Sequence, residues 1–460
     1  MNSYFIDPFG CVKNQVDAEN MMSHLDNAGW KCVSAENADL IIVNSCGFIE
    51  SAKQESINAV IEWRKLYPGK KILLAGCLSQ RYKKELTESL TEADDFFGTE
   101  NIAQITQAAL KIIKSKSRTA PGNLSTGERP LLSLPGCAYV KISEGCNNCC
   151  SFCAIPLIRG KLFSRTITDI LEECRILLDR GIKELCIVAQ DIGSYGTDEG
   201  DNTSGKLPEL LNAISSLKGH FWIRLLYIHP DHFPLPILDL MKRDPRFLPY
   251  FDIPFQHACG KILCAMNRHG NKTQYLELLK TIRTRLPNAV IRSTFLLGFP
   301  GETEEDFAEL LDFQEKAALD WVGCFTYSRE EDTAAYSMKG RVSKKTAANR
   351  RQMIEERQIP ITEKNMDRFI NQELEVLIEE QIDDNLALGR LYCQAPDIDG
   401  AAVCHPAGSS HPAGGSYQAG SSHPAGATNN EKEKICDQIG KLTPCKVIRR
   451  RGFDLEVQLH

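Results

Sequence analysis

A short apolar run, a cysteine at its end and a helical stretch follow one another three times near the start of this chain. "SYFIDPFGC" precedes "KNQVDAENMMSHLDNAG", "DLIIVNSC" precedes "GFIESAKQESINAVIEWRKLYPG", and "KILLAGC" precedes "LSQRYKKELTESL". Strands alternating with amphipathic helices build a parallel sheet covered on both faces, because every crossover helix must bury its apolar side against the sheet. Parallel strands all point one way. Cys11, Cys46 and Cys77, far apart in sequence, are therefore expected at one carboxyl edge, where open α/β sheets hold their ligands.

The helix in "NIAQITQAALKIIKS" closes this first unit, expected over residues 1–115, and a Gly-, Pro- and Ser-rich linker is expected at 116–131. Six strand-like runs follow, separated by helical stretches: "AYVKISEGC", "ELCIVAQD", "WIRLLYIHP", "YFDIPFQH", "VIRSTFLLGFPGE" and "WVGCFTYS". Six β/α units suit a partial barrel over 132–364, with its site at the carboxyl ends of the strands. The run "ELEVLIEEQIDDNLALGRLYCQAPDIDGAAV" alternates as strands do and predicts a small antiparallel β-barrel over 366–460. A hexapeptide repeat, "VCHPAG", "SSHPAG", "GSYQAG", "SSHPAG", interrupts it within a low-complexity insert at 403–430. Lacking inward-facing aliphatic residues, the repeat reads as a solvated loop rather than a β-helix, and His405, His411 and His423 as adventitious metal ligands at most.

At 460 residues the chain exceeds what one core serves, so an α/β protein of several domains is expected. No apolar run reaches membrane-spanning length, and "MNSYFIDPFG" lacks the regions of a signal peptide, which points to the cytoplasm and away from a membrane. Eighteen cysteines in a reducing compartment imply metal binding or catalysis for any clustered set, not a disulfide framework. A formal net charge of −6 argues against broad binding to nucleic-acid backbones.

The densest set is "CNNCCSFC", which admits two metal readings. Two C-x2-C pairs, Cys146/Cys149 and Cys150/Cys153, would make a four-thiolate zinc site, although adjacent Cys149 and Cys150 strain a tetrahedron. C-x3-C-x2-C instead offers Cys146, Cys150 and Cys153 to an iron–sulfur cubane. That is one ligand fewer than the usual four, which leaves an iron open to a cosubstrate. The position of the motif at the end of the first barrel strand favours the three-thiolate reading, with Cys149 a bystander.

C-x3-C-x2-C with Phe152 before the last cysteine, opening a six-unit β/α barrel, resembles the radical S-adenosylmethionine superfamily. The resemblance implies that S-adenosylmethionine chelates the open iron and is cleaved to a 5′-deoxyadenosyl radical. "GCVKNQVDAENM", "NSCGFIESAKQES" and "AGCLSQRY" resemble the N-terminal domain of the methylthiotransferase family, which implies that Cys11, Cys46 and Cys77 hold a second 4Fe-4S cluster. In that scheme S-adenosylmethionine is both methyl donor and radical source, and no general acid or base is nominated. The stretches "CAIPLIRGKLFSRTITDILEE", "AQDIGSYGTD", "RLLYIHP", "YFDIPFQHA", "IRSTFLLGFPGETEEDF" and "YCQAPDIDG" resemble the branch acting on ribosomal protein uS12. The implied reaction is methylthiolation of the β-carbon of an aspartate in uS12, free or within the small subunit. The implied partners are a flavodoxin- or ferredoxin-type electron donor and a sulfur donor, and the C-terminal barrel resembles a TRAM domain. Alternatives are the tRNA branch, acting on isopentenyl-adenosine, and a non-catalytic zinc- or ribosome-binding module.

Charge bears on the substrate. Residues 366–400 carry nine acidic and two basic side chains, a balance that repels RNA phosphates and attracts a basic ribosomal protein, with "KVIRRRG" as the counterexample. Gln190 and Asp191 at the end of the second barrel strand are candidate contacts to S-adenosylmethionine or substrate. Gly298 and Gly301 in "GFPGE" are candidates too, or else form a plain strand-to-helix turn. Cys32, Cys137, Cys174, Cys186, Cys259, Cys264 and Cys324 have no metal spacing and read as packing residues.

Overall fold

The computed structural model describes residues 2–113, 126–199, 205–407 and 435–460. Most of the expected linker, and the repeat from residue 408 onward with His411 and His423, lie outside the described residues. By internal packing the chain divides into two units, one of Met1–Ser133 with Ala138–Ile361 and one of Leu134–Cys137 with Thr362–His460.

The first unit begins with β1 (Ser3–Pro8), α1 (Val12–Asn27), β2 (Lys31–Cys32), β3 (Leu40–Ser45), α2 (Glu50–Leu66), β4 (Lys71–Gly76), α3 (Cys77–Ser89), β5 (Asp95–Phe97) and α4 (Ile105–Ile112). The strands form a parallel sheet in the order β2-β1-β3-β4-β5. Alternate residues of a strand face opposite sides, and the two cores divide accordingly. Leu40, Ile42, Leu73 and Ala75 pack with Met21, Leu25 and Ile105, whereas Ile41, Val43, Ile72 and Leu74 pack with Val60, Leu78 and Leu86. Burial on both faces explains why β3 and β4 read as unbroken apolar runs.

From Ala138 the same unit continues through the rest of β6 (Cys137–Lys141), then a ribbon of β7 (Ser143–Glu144) and β8 (Phe163–Ser164) enclosing α5 (Ile155–Arg159). There follow α6 (Ile167–Asp179), β9 (Glu184–Val188), α7 (Leu207–Ser215), β10 (Trp222–Leu225), α8 (Ile237–Arg243), β11 (Phe247–Asp252), α9 (Gly260–Ala265), α10 (Lys272–Arg285), β12 (Val290–Leu297), α11 (Glu304–Ala317), β13 (Trp321–Thr326) and α12 (Lys344–Asp367). The six long strands lie in chain order, β6-β9-β10-β11-β12-β13, as an open barrel. Local signals set the helix starts: Thr303 and Asp306 cap α11 reciprocally, and Thr166 accepts the Asp169 amide at the start of α6.

The second unit holds β14 (Glu373–Asp383), β15 (Leu386–Arg390), β16 (Ala402–His405), β17 (Leu442–Arg451) and β18 (Asp454–Leu459), closed as a barrel in the order β14-β15-β16-β18-β17. Four neighbouring pairs are antiparallel as expected, but β16 and β18 run parallel. Five strands cannot alternate direction all the way round a ring, so one parallel pair is unavoidable.

Candidate functional site

Strands β1, β3 and β4 are neighbours in the sheet, so the turns at their carboxyl ends sit side by side. Cys11 caps α1, Cys46 follows β3, and Cys77 opens α3. Asn14 ties the turns together: its Nδ2 donates to the carbonyls of Phe9 (2.6 Å), Ser45 (3.2 Å) and Asn44 (3.3 Å). Gly10 has φ +91°, and a Cβ there would lie 2.9 Å from Cys46 Cβ and 3.1 Å from its sulfur, so only glycine lets the first turn close onto the second.

The three thiols differ in environment, and the Cys11 charge raises both Cys46 and Cys77. Burial pushes Cys77 up to about 12, with Arg159 opposing, and raises Cys46. Burial also opposes ionisation of Cys11, yet the Lys13 and Arg159 charges and nearby backbone amides bring its thiol below the ordinary range. Cys11 is the solvent-reachable member, while Cys46 is half-buried and Cys77 buried.

The barrel triplet comes from the single loop after β7. Its backbone is pinned by Cys146 N–H to Gly160 O (3.2 Å), Ser151 N–H to Met266 O (3.0 Å), Ala335 N–H to Ser151 O (2.8 Å) and a turn from Cys153 N–H to Cys150 O (3.0 Å). Cys146, Cys150 and Cys153 are half-buried, and Cys149 is exposed with its thiol directed to Asn147 O at 3.6 Å. Burial raises all three inner thiols, Cys146 to about 11 and Cys153 to about 12, with Cys150 raising Cys146 further and Cys150 and Cys146 raising Cys153 further. The loop thus sorts its four cysteines three to one.

Within the first unit an ion network links Cys77 to the residues that flank the barrel cysteine loop, Glu144 before it and Arg159 after it. Arg159 at the end of α5 donates to Asp17 (2.8 Å), Glu144 (2.8 Å) and the Cys77 sulfur (3.1 Å). Lys141 pairs with the same two carboxylates, Asp17 and Glu144. Burial opposes the charge on Glu144, but Lys141 and Arg159 hold its carboxyl down at about 2. Nearby, Arg129 bridges Glu19 (2.8 Å) and Glu173 (2.5 Å), all three fully buried. None of these residues was singled out from the sequence. The available signal was acidic Asp17 and Glu19 beside the apolar side of an otherwise amphipathic helix.

Asp191 accepts five donors, from Gly193 N, His229 N, Ser194 Oγ, His232 Nδ1 and Asn148 Nδ2, at 2.6–3.1 Å. Burial opposes its charge, but these donors and the two imidazoles keep its carboxyl far below the usual range. It ties the cysteine loop to the ends of β9 and β10 and keeps no oxygen uncommitted. Gln190 donates to Glu144 at 3.3 Å, while its buried Oε1 has no hydrogen-bond partner; the same holds for Arg268 Nε, beside Cys150. Two orphaned buried polar atoms next to the loop suit a polar cosubstrate. The Gly298 amide is taken by Glu302 (2.7 Å) and that of Gly301 by Gly340 O (2.8 Å). A Cβ on Gly298 would come 2.5 Å from Ala347 Cβ, so this glycine serves the packing of α12. Of the cysteines expected to pack, Cys32 and Cys264 are instead exposed: the first lies on a two-residue edge strand and the second near the end of a short helix.

Comparison with known proteins gives a consistent picture. Residues 3–98 match an uncharacterised protein family, UPF0004; residues 140–313 match the radical SAM superfamily; residues 370–420 match the TRAM domain. The ribosomal protein uS12 methylthiotransferase RimO of Treponema denticola is 46% identical, covering 98% of this chain and 99% of its own. The enzymes of that name from Syntrophomonas wolfei (44% identical, 87% of this chain and 92% of its own) and Aquifex aeolicus (41%, 85% and 88%) are similar as well. Among solved structures, the radical S-adenosylmethionine methyltransferase TsrM of Kitasatospora setae shares the fold at TM-score 0.53 and 13% identity, over 70% of this chain and 73% of that one.

Proposed function

The chain belongs to the RimO family of ribosomal protein uS12 methylthiotransferases, and from that premise we propose that its two thiol triplets hold the two 4Fe-4S clusters of a radical S-adenosylmethionine enzyme. Cys146, Cys150 and Cys153 would hold one and Cys11, Cys46 and Cys77 the other. The reaction is methylthiolation of the β-carbon of an aspartate in uS12. The observation that carries this reading is that Arg159, which closes the segment holding the barrel triplet, donates to the Cys77 sulfur of the strand-end triplet, so both sets share one ion network.

When bound, the clusters and S-adenosylmethionine supply electron transfer, hydrogen abstraction, sulfur insertion and methylation. The protein supplies placement. Three thiols per site, with Cys149 turned away, match a cubane with one iron left for another ligand. Gln190 Oε1 and Arg268 Nε offer an acceptor and a donor beside the barrel triplet. Ala154 and Ile158 pack against Cys77 and limit water between the two sites.

Charge in the second unit supports the protein substrate over RNA. In "KVIRRRG", Arg449 pairs with Glu456 (2.7 Å), and Arg450 with Glu363 (2.9 Å) and Asp367 (2.7 Å), so the basic run is largely neutralised. Glu380, Asp383 and Asp384 stay exposed on the acidic stretch. A low-potential one-electron donor of flavodoxin or ferredoxin type and a sulfur donor complete the scheme. The cytoplasm fits eighteen free thiols, and no helix among the described residues is long and apolar enough to cross a membrane. The test is anaerobic incubation of the reconstituted enzyme with uS12, S-adenosylmethionine, sulfide and a reductant. Mass spectrometry should find one methylthio group on a single aspartate of uS12 and none on isopentenyl-adenosine tRNA; the reverse result would reassign the substrate.

A further inference from the structure

Lys13, beside Cys11, differs from the cations of the ion network, as Arg268 does beside Cys150. Arg159 and Lys141 are committed to Asp17 and Glu144, and Arg292 pairs with Asp252 at 3.0 Å. Lys13, two residues after Cys11, has no carboxylate within ion-pair distance among the described residues. Its ammonium lies 3.4 Å from the centroid of the Tyr227 ring. A half-buried cation held only by an aromatic face keeps most of its hydrogen-bonding capacity for something else.

Its position is defined from both sides. Lys13 leaves the first turn of α1, on the edge that carries Cys11, Cys46 and Cys77. Tyr227 follows β10 at the carboxyl edge of the barrel, and its carbonyl accepts the Ile192 amide (3.0 Å), next to Asp191 and the loop of Cys146. Tyr227 adopts φ +67°, a left-handed conformation that a bulky residue takes only where its surroundings enforce it. Such outliers concentrate at ligand-binding positions. A strained tyrosine at the carboxyl edge of the barrel and a lysine without an ion pair at the start of α1 together place a positive charge beside Cys11, facing the barrel's strand ends.

We propose that Lys13 binds the side-chain carboxylate of the aspartate that is methylthiolated, with Tyr227 holding the ammonium from behind. The proposal deepens the uS12 reading above and rests on it. The β-carbon of aspartate is bonded directly to that carboxylate, so fixing the carboxylate leaves one rotation to present the C–H bond. An asparagine in the same place would lose the charge-assisted hydrogen bond. Lys13 is thus a specificity residue that selects an acidic side chain.

The test measures binding of labelled uS12, with the target aspartate or with asparagine in its place, to reconstituted full-length enzyme and to its K13M and K13R variants. Iron and sulfide are counted in every preparation. Wild type should bind the aspartate form about tenfold to a hundredfold more tightly. K13M should bind both forms alike with its iron retained, and K13R should recover part of the preference. The proposal is overturned if K13M keeps the full preference, if wild type modifies uS12 without any preference in binding, or if K13M loses iron, which would make Lys13 a cluster residue. A wild type that neither binds nor modifies uS12 would instead sink the uS12 reading, and this proposal with it.

Discussion

The two thiol triplets are assembled by opposite routes. Cys146, Cys150 and Cys153 lie in one short loop, pinned by backbone bonds to residues around 265 and 335. Cys11, Cys46 and Cys77 are brought together only because β1, β3 and β4 are adjacent and parallel. One site depends on a loop conformation, the other on the topology of a whole sheet. The difference extends to chemistry: all three barrel thiols are raised by burial, whereas the N-terminal set runs from the lowered Cys11 to Cys77 at about 12.

Substitutions can break this comparison at several strengths. Replacing Cys150 with alanine should abolish uS12 modification and remove one cluster's worth of iron, because the loop has no fourth inward thiol to substitute. Arg159→Met should leave Asp17 with half of its cationic partners and should cost about 3 kcal/mol, the order expected for breaking a buried ion pair. The loss would be read as a lower urea midpoint. Glu144→Gln should alter the pH profile. The Glu144 carboxyl titrates near 4.5 ordinarily and at about 2 when folded. Its stabilisation is therefore present above about 4.5 and is lost as pH falls towards about 2. Thermal midpoints of the wild type should drop more steeply across that window than those of the variant. Cys149→Ala should change neither iron content nor activity, and a loss of iron there would revive the four-thiolate zinc reading.

What the sequence disclosed follows the same division. The six barrel strands and the three cysteine-ended strands were legible, since each is a run of apolar residues with a polar or glycine-containing end. The edge strands β2 and β5 were not, being two and three residues long, too short for any periodicity to register. Spacing alone left two readings of the loop, and only its place at a strand end set Cys149 aside; Cys149 is the exposed one of the four. The ion network was invisible because Asp17, Lys141, Glu144 and Arg159 meet only after the sheet and barrel pack together. Asp191 read as a ligand contact because it ends a barrel strand, yet its carboxylate is saturated by protein donors. A strand-end position predicts proximity to the site and says nothing about which lone pairs remain open.

If each triplet holds its own cubane, the iron content must show both. Anaerobic reconstitution followed by iron and sulfide counting tests this most directly, on wild type, on a Cys146/Cys150/Cys153 triple alanine variant and on a Cys11/Cys46/Cys77 triple alanine variant. Wild type should hold about eight irons, the sum for two four-iron clusters, and each variant about four. A wild type with only about four irons, or a variant that keeps the wild-type count, would contradict that assignment.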